Sequence, residues 1–313
     1  MIVGLALVLL GLALFAIIMT ANHWNFRALS TTSYETNLTP IGENFQNITV
    51  QTDTARLCFL PSEDGLARVE CYEDIKEKHA VTVENGTLFI RSHNEKKWYE
   101  SIGINFGTPT VTVYLPEENY GDLIVTGHTG DVTIPNDFRF ESIDIAVTTG
   151  SVTCGASATG NLKLKTSTGD IFVSGISAAS LELTVTTGQI TARETACEED
   201  IDIRVRTGKA VLTDVSCRNL TTSGTTGDLT LRNVIASGKI EIERSTGTVK
   251  LDACDAAALD IETDTGDVTG TLLSEKIFLV ETDTGRINVP KTTTGGKCEI
   301  ETDTGNIKIE ITK

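Results

Sequence analysis

The sequence predicts an all-β protein, a parallel β-solenoid of about ten coils of 19–20 residues, preceded by a small β region and an N-terminal transmembrane helix. Three observations predict it. A Thr-Gly pair recurs ten times at a near-constant interval, apolar and polar residues alternate between the pairs, and one uncharged apolar run opens the chain. A fixed period near twenty residues is the mark of a stacked repeat architecture.

The opening run, residues 2–20, reads IVGLALVLLGLALFAIIMT without charge or proline. Its length as a helix is roughly 28 Å, close to the hydrocarbon thickness of a bilayer. His23, Trp24 and Phe26 follow in the place of an interfacial belt. A cleaved signal peptide is the alternative, but Met19-Thr20-Ala21 is a poor cleavage site, so the expectation is a retained single-pass anchor. No Lys or Arg precedes the run and Arg27 follows it, so basic charge does not set its orientation. An acidic, Thr/Gly-rich β domain behind a lone span favours an extracytoplasmic placement.

Residues 21–42 are polar and rich in Thr and Asn, and read as a juxtamembrane linker. Residues 43–116 carry strand patterns at Ile48–Gln51, Leu57–Leu60, Ala67–Cys71, Ala80–Val83, Thr87–Arg91 and Thr110–Leu115. Pro61–Gly65 reads as a turn, Asn85-Gly86 as a hairpin signal and Lys96–Glu100 as a loop or short helical turn. This region is expected to cap the first coil, whose edge would otherwise lie unpaired.

The solenoid is assigned to residues 117–313. Its marker glycines are Gly130, Gly150, Gly169, Gly188, Gly208, Gly227, Gly247, Gly266, Gly285 and Gly305, which define coils 1 to 10. Seven and five residues before each Gly, and two after it, the side chain is nearly always aliphatic, as in Leu162, Leu164 and Ile171 of coil 3. Period-2 alternation, β-branched content and a Gly in every unit exclude a helical repeat. The Gly is expected at a corner with positive φ. The Thr before it has inward parity, so a ladder of stacked interior hydroxyls is expected. Arg244 breaks the pattern at an inward position three before Gly247, where a local turn outward is expected. The last coil, ending Ile307–Lys313, has no visible cover, leaving outward Lys308, Glu310 and Thr312 as gatekeepers or a bare edge for a partner strand.

Composition narrows the function. Lys plus Arg number 26 and Asp plus Glu 43, a net charge of −17, which argues against nucleic-acid binding. The seven cysteines lack zinc-ligand spacing and read mainly as small buried residues. Cys197 and Cys217 are expected to stack in adjacent coils, and a Cys58–Cys71 disulfide is possible without being implied. No catalytic or cofactor-binding residues emerge. Coils 7 to 10 place ten carboxylates on one face, and Glu-Thr-Asp-Thr-Gly occurs three times. The plain reading is a solvated acidic face. The sharper one is weak Ca²⁺ binding through Glu262, Asp264, Glu281, Asp283, Glu301 and Asp303.

The N-terminal span, Asn85-Gly86-Thr87-Leu88-Phe89-Ile90, Val111-Thr112-Val113-Tyr114-Leu115-Pro116 and the repeated Thr-Gly-Asp-[Val/Ile] together resemble the bacterial "putative adhesin" family over about residues 43–313. That resemblance implies a surface-exposed β-solenoid, in some members linked to cell-envelope stress, and carries no catalytic residues. A non-enzymatic, membrane-anchored adhesin or envelope scaffold is the leading expectation. The alternatives are an extracytoplasmic regulatory partner of a membrane sensor and, less favoured, a polysaccharide lyase-like enzyme. The acidic coils have no adjacent base, and Trp24 and Trp98 lie outside the repeats.

Overall fold

The computed structural model describes residues 2–21, 23–25, 32–96 and 107–312. One apolar helix, α1 (Ile2–Ala21), precedes a column of β-structure. The stretch Gly4–Ala21 has a mean hydropathy of 2.6 and is long and apolar enough to cross a membrane. Phe26 and Arg27, and the predicted loop beyond Lys96, lie outside the described residues.

The column is a parallel β-solenoid. Each coil has a strand ending at the marker Thr and a second starting two residues after the Gly, as in Asn161–Thr168 and Ile171–Ser174. Parallel ladders join like residue to like: Leu162 faces Leu181, Leu164 faces Leu183 and Ile171 faces Ile190. The side chains at these sites are at most 1% exposed. Full burial of one such aliphatic side chain contributes about 1.5–3 kcal/mol, so the stacked rows form one continuous core.

Backbone packing explains the marker Gly. From Gly130 to Gly266 the eight marker glycines have φ between +126° and +159°. A Cβ on Gly208 would stand 1.7 Å from the Gly188 carbonyl oxygen. The corner therefore requires both positive φ and no side chain. The residue after the Gly has its own task, with Asp131, Asp170 and Asp228 each accepting a backbone N–H of the next coil, from Ser151 (2.9 Å), Gln189 (2.8 Å) and Thr248 (2.9 Å).

The expected interior ladder of marker threonines is not there: all ten are exposed, because the chain has already begun its turn at that residue. The hydroxyls that bond within the column sit two residues earlier, Thr166 and Thr302 buried and Thr282 half-buried. Thr166 donates to Gly150 O (2.8 Å), Thr282 to Gly305 O (3.0 Å) and Thr302 to Gly266 O (3.2 Å).

The N-terminal end contains further coils without the Thr-Gly marker. Strands β1 (Tyr34–Pro40), β2 (Asn47–Thr54), β3 (Arg56–Pro61), β4 (Arg68–Asp74), β5 (Glu77–Glu84), β6 (Thr87–Asn94) and β7 (Thr110–Leu115) build it. β2 and β3 are in register with coil 1, Val50 facing Val125 and Leu57 facing Val132, with Ala55 at the glycine's place. β6 and β7 stack beneath them. β5 then covers β6, β4 covers β7, and β1 covers β4, all antiparallel. Asn85 and Gly86, both with positive φ, close the β5–β6 hairpin. β1 thus lies in the stretch that the sequence presents as linker.

Coil order is permuted at both ends. The β2–β3 coil comes earlier in the chain than the β6–β7 coil but lies between it and coil 1. At the other end coil 10 lies between coils 8 and 9: Cys298 faces both Leu259 and Phe278, and Ile307 faces both Val268 and Ile287. The chain's last strand is therefore paired on one side over Ile307–Ile311 and on the other at Ile307 and Lys308, so coil 10 is not the bare outer edge expected there. Coil 9 supplies the outer strand, where Ile277, Leu279 and Ile287 are 43%, 49% and 48% exposed.

All seven cysteines are free. Cys58 and Cys71 flank β7 on opposite sides, facing Thr112 and Val111. Two strand spacings, about 9.6 Å, exceed the reach of a disulfide. Cys197 and Cys217 follow the paired Ala196 and Ser216 and are buried in adjacent coils, as expected.

Candidate functional site

The acidic face is a product of the ladder. Permutation orders its rows as Glu262, Glu301, Glu281 and Asp264, Asp303, Asp283, with all six side chains exposed. Successive residues in each row stand roughly 4.8 Å apart. The neighbouring row is partly neutralised: Lys239 meets Glu241 (3.2 Å) and Asp260 (2.8 Å), and Lys297 meets Glu299 (2.5 Å). Among the described residues, no ion pair is formed by the six candidates. Among the described residues their oxygens form no convergent group, and the one group of Cys, His and acidic ligand atoms within 4.8 Å of one another lies elsewhere.

That group is Cys71, Glu73 and His79, at the capped end of the column. Alternation along β4 puts Cys71 and Glu73 on one face, and β5 brings His79 against them. Glu73 accepts the His79 backbone N–H (2.7 Å) and the Asn37 amide (2.9 Å), and its Oε2 lies 2.8 Å from His79 Nδ1. His79 Nε2 lies 3.2 Å from Thr52 Oγ1. Carboxylate and imidazole are thus already engaged by protein groups, and only the Cys71 thiol is without a hydrogen bond. Burial, then Glu73 and Glu70, pushes that thiol's pKa up to about 12, away from the thiolate that a metal or an electrophile requires. The arrangement works as a buried polar plug. Its linear spacing carried no signal, since β4 and β5 meet only through their hairpin.

A third feature sits inside coils 6 to 8. Arg244 does not turn outward; it is in register with Gly224 on one side and Thr263 on the other, and is 3% exposed. Burial pushes its pKa down, opposed by Asp228. A cleft of about 510 Å³ on the outer face is lined by Arg204, Arg206, Gly224 and Arg244 together with Glu262 and Asp264. Arg204 is paired with Glu182 (3.5 Å) and with Asp202. Among the described residues no carboxylate pairs with Arg206. An unpaired buried charge costs several kcal/mol, so packing alone does not explain Arg244, which forms no ion pair among the described residues.

The solved structures similar to this chain include a "putative adhesin" from Bacteroides fragilis, at 14% identity, covering 89% of this chain and 97% of that one with a TM-score of 0.41. They also include a "putative lipid binding protein" from Parabacteroides distasonis, at 14% identity over 90% of this chain and 98% of that one, TM-score 0.48. A "putative adhesin" from the same organism matches at 11% identity over 90% and 98%, TM-score 0.48. Such distant likenesses carry no argument about ligand or role. None of the curated proteins compared matches the chain. The sequence profile of the Toastrack DUF4097 family matches residues 45–209 and 194–313, the whole of the column from β2 to the last strand. The chain is therefore a member of the Toastrack DUF4097 family.

Proposed function

We propose that this protein is a non-enzymatic, membrane-anchored β-solenoid of the bacterial cell surface, acting as an adhesin-like rod or an envelope scaffold. The observation that carries this reading is the coupling of an exposed apolar helix to a rigid column. The helix is long enough to stay in a bilayer, and the column offers broad flat ladders as surfaces. The acidic rows suit a face that remains in water, where like charges are screened. In the Cys71 group burial keeps the thiol protonated, and Glu73 and His79 are engaged with each other and with neighbouring protein groups, an arrangement that suits a structural part of a binding protein. Protease shaving of intact cells tests the placement. Loss of the β domain without lysis, with the helix retained in carbonate-washed membranes, supports it; protection until lysis overturns it.

A second reading, an extracytoplasmic partner of a membrane sensor, draws support from the uncovered edge of coil 9. Its Lys276–Thr284 strand pairs on one side only and leaves Ile277 and Leu279 exposed. A photo-crosslinker at residue 279 that captures one defined membrane protein favours this reading over the scaffold.

A further inference from the structure

The interior of coils 6 to 8 gathers hydrogen-bond donors without acceptors. Among the described residues, the buried side-chain nitrogens and oxygens lacking a partner are Arg244 Nε, Nη1 and Nη2, Thr222 Oγ1 and Thr263 Oγ1. The ladder sets Gly224, Arg244 and Thr263 in one row, with Thr263 one strand from Arg244; Thr222 lies two residues before Gly224 on the same face, in the row of Ile242 and Ile261. Gly224 makes the room, since a Cβ there would stand 2.0 Å from Arg244 Nη1. Asp228, the acid nearest in effect, is committed to the Thr248 N–H at 2.9 Å.

A guanidinium keeps its proton in proteins. Water can satisfy its hydrogen bonds but leaves its charge unbalanced, whereas an anion does both. The surrounding wall is aliphatic, with Leu220, Ile242 and Ile261 at most 1% exposed. A strongly hydrated dianion sheds its water there at greater cost than a monovalent ion of low charge density. The cleft lined by Gly224 and Arg244, with Arg206 on its rim and Glu243, Glu262 and Asp264 also in its lining, lies against this wall.

We propose that the Arg244 guanidinium and the Thr263 hydroxyl form an internal binding site for a small monovalent anion of chloride's class, which ties coils 7 and 8 together. Ligand that binds only the folded protein raises its melting temperature in a saturable way. The full-length protein in detergent is therefore melted in sodium chloride and in sodium gluconate at equal ionic strength, alongside Arg244→Met. The wild type is expected to melt several degrees higher in chloride, and the variant identically in both. Equal melting of the wild type in the two salts, or a chloride effect that Arg244→Met retains, overturns the site. If Arg244→Met does not fold, Thr263→Val takes its place; a weakened chloride response is expected and an undiminished one overturns the proposal. Crystals grown in bromide give an independent reading. An anomalous peak within hydrogen-bond reach of Arg244 is expected, and density for water alone with no such peak overturns it.

Discussion

Gly305 stacks directly on Gly266. Thr304 O accepts the Gly266 N–H at 2.9 Å, and a Cβ on Gly305 would stand 2.0 Å from Gly266 O, although all of coil 9 separates the two residues in the chain. Coil 10 is therefore a wedge between coils 8 and 9, and it locks the chain's end between two ladders. The N-terminal end repeats the device with the β2–β3 coil. Terminal segments ordinarily fray; here the last coil is held inside the stack, whereas β1 pairs only with β4.

Truncation after Thr294 is expected to unfold more than the residues it removes. Lys276–Thr284 pairs in parallel only with Gly296–Thr304, so coil 9 loses its one neighbour. Hydrogen exchange should show the amides of 276–284 unprotected in the truncated protein and protected in the full chain. Retained protection there would mean that coil 9 can pair with coil 8 by itself.

Gly208→Ala should be among the most damaging single-methyl additions. The new Cβ would stand 1.7 Å from Gly188 O at a φ of +135°, so backbone on both sides has to move. A loss of about 3 kcal/mol is expected from strain and close contact together. Denaturant melts can compare it with Gly175→Ala. That glycine also has positive φ, +68°, but with open space around it, and a loss nearer 1 kcal/mol is expected.

Glu301 sits between Glu262 and Glu281 on the acidic face. Glu301→Gln removes two like-charge contacts while keeping the side chain's shape. A gain of about 0.5 kcal/mol at low salt is expected, shrinking as ionic strength rises. A variant no more stable than wild type at low salt would show that the rows are already neutralised, by counter-ions or by a bound divalent cation.

Asp255 is the acid whose pH dependence is clearest. Burial raises its pKa, but hydrogen bonds from Lys276 (2.6 Å) and Ser274 (2.7 Å) outweigh it and hold the carboxyl below its usual range. A depressed folded-state pKa adds stability above the ordinary carboxylate value, lost as pH falls through the folded value. Acid titration of the wild type should therefore show a loss below about pH 4 that Asp255→Asn lacks. At neutral pH that variant should be about 3 kcal/mol less stable, because it breaks an ion pair in which the Lys276 side chain is 3% exposed.

Much of the fold was legible in local pattern. Alternation at Leu162, Leu164 and Ile171 placed the inner face, Asn85-Gly86 placed the hairpin, and the ten glycines placed the corners. The sites were less legible. Arg244 stood out as a misfit, yet only its register with Gly224 and Thr263 shows that it points inward among unpaired donors. Cys71, Glu73 and His79 have no motif spacing, since the β4–β5 hairpin brings them together. The marker threonines misled because parity along a strand ceases to hold where the chain turns.

Coil length, the inner and outer faces and the corner positions follow from local pattern, because strand alternation and the conformational freedom of glycine act within a few residues. Tertiary structure alone decided the order of the coils. Leu259 and Ile261, Phe278 and Val280, and Cys298 and Ile300 present nearly the same edge, so the repeat does not say which ladder pairs with which. Packing settled it by burying the last coil's apolar row completely and leaving coil 9, with its half-exposed Ile277 and Leu279, at the open end.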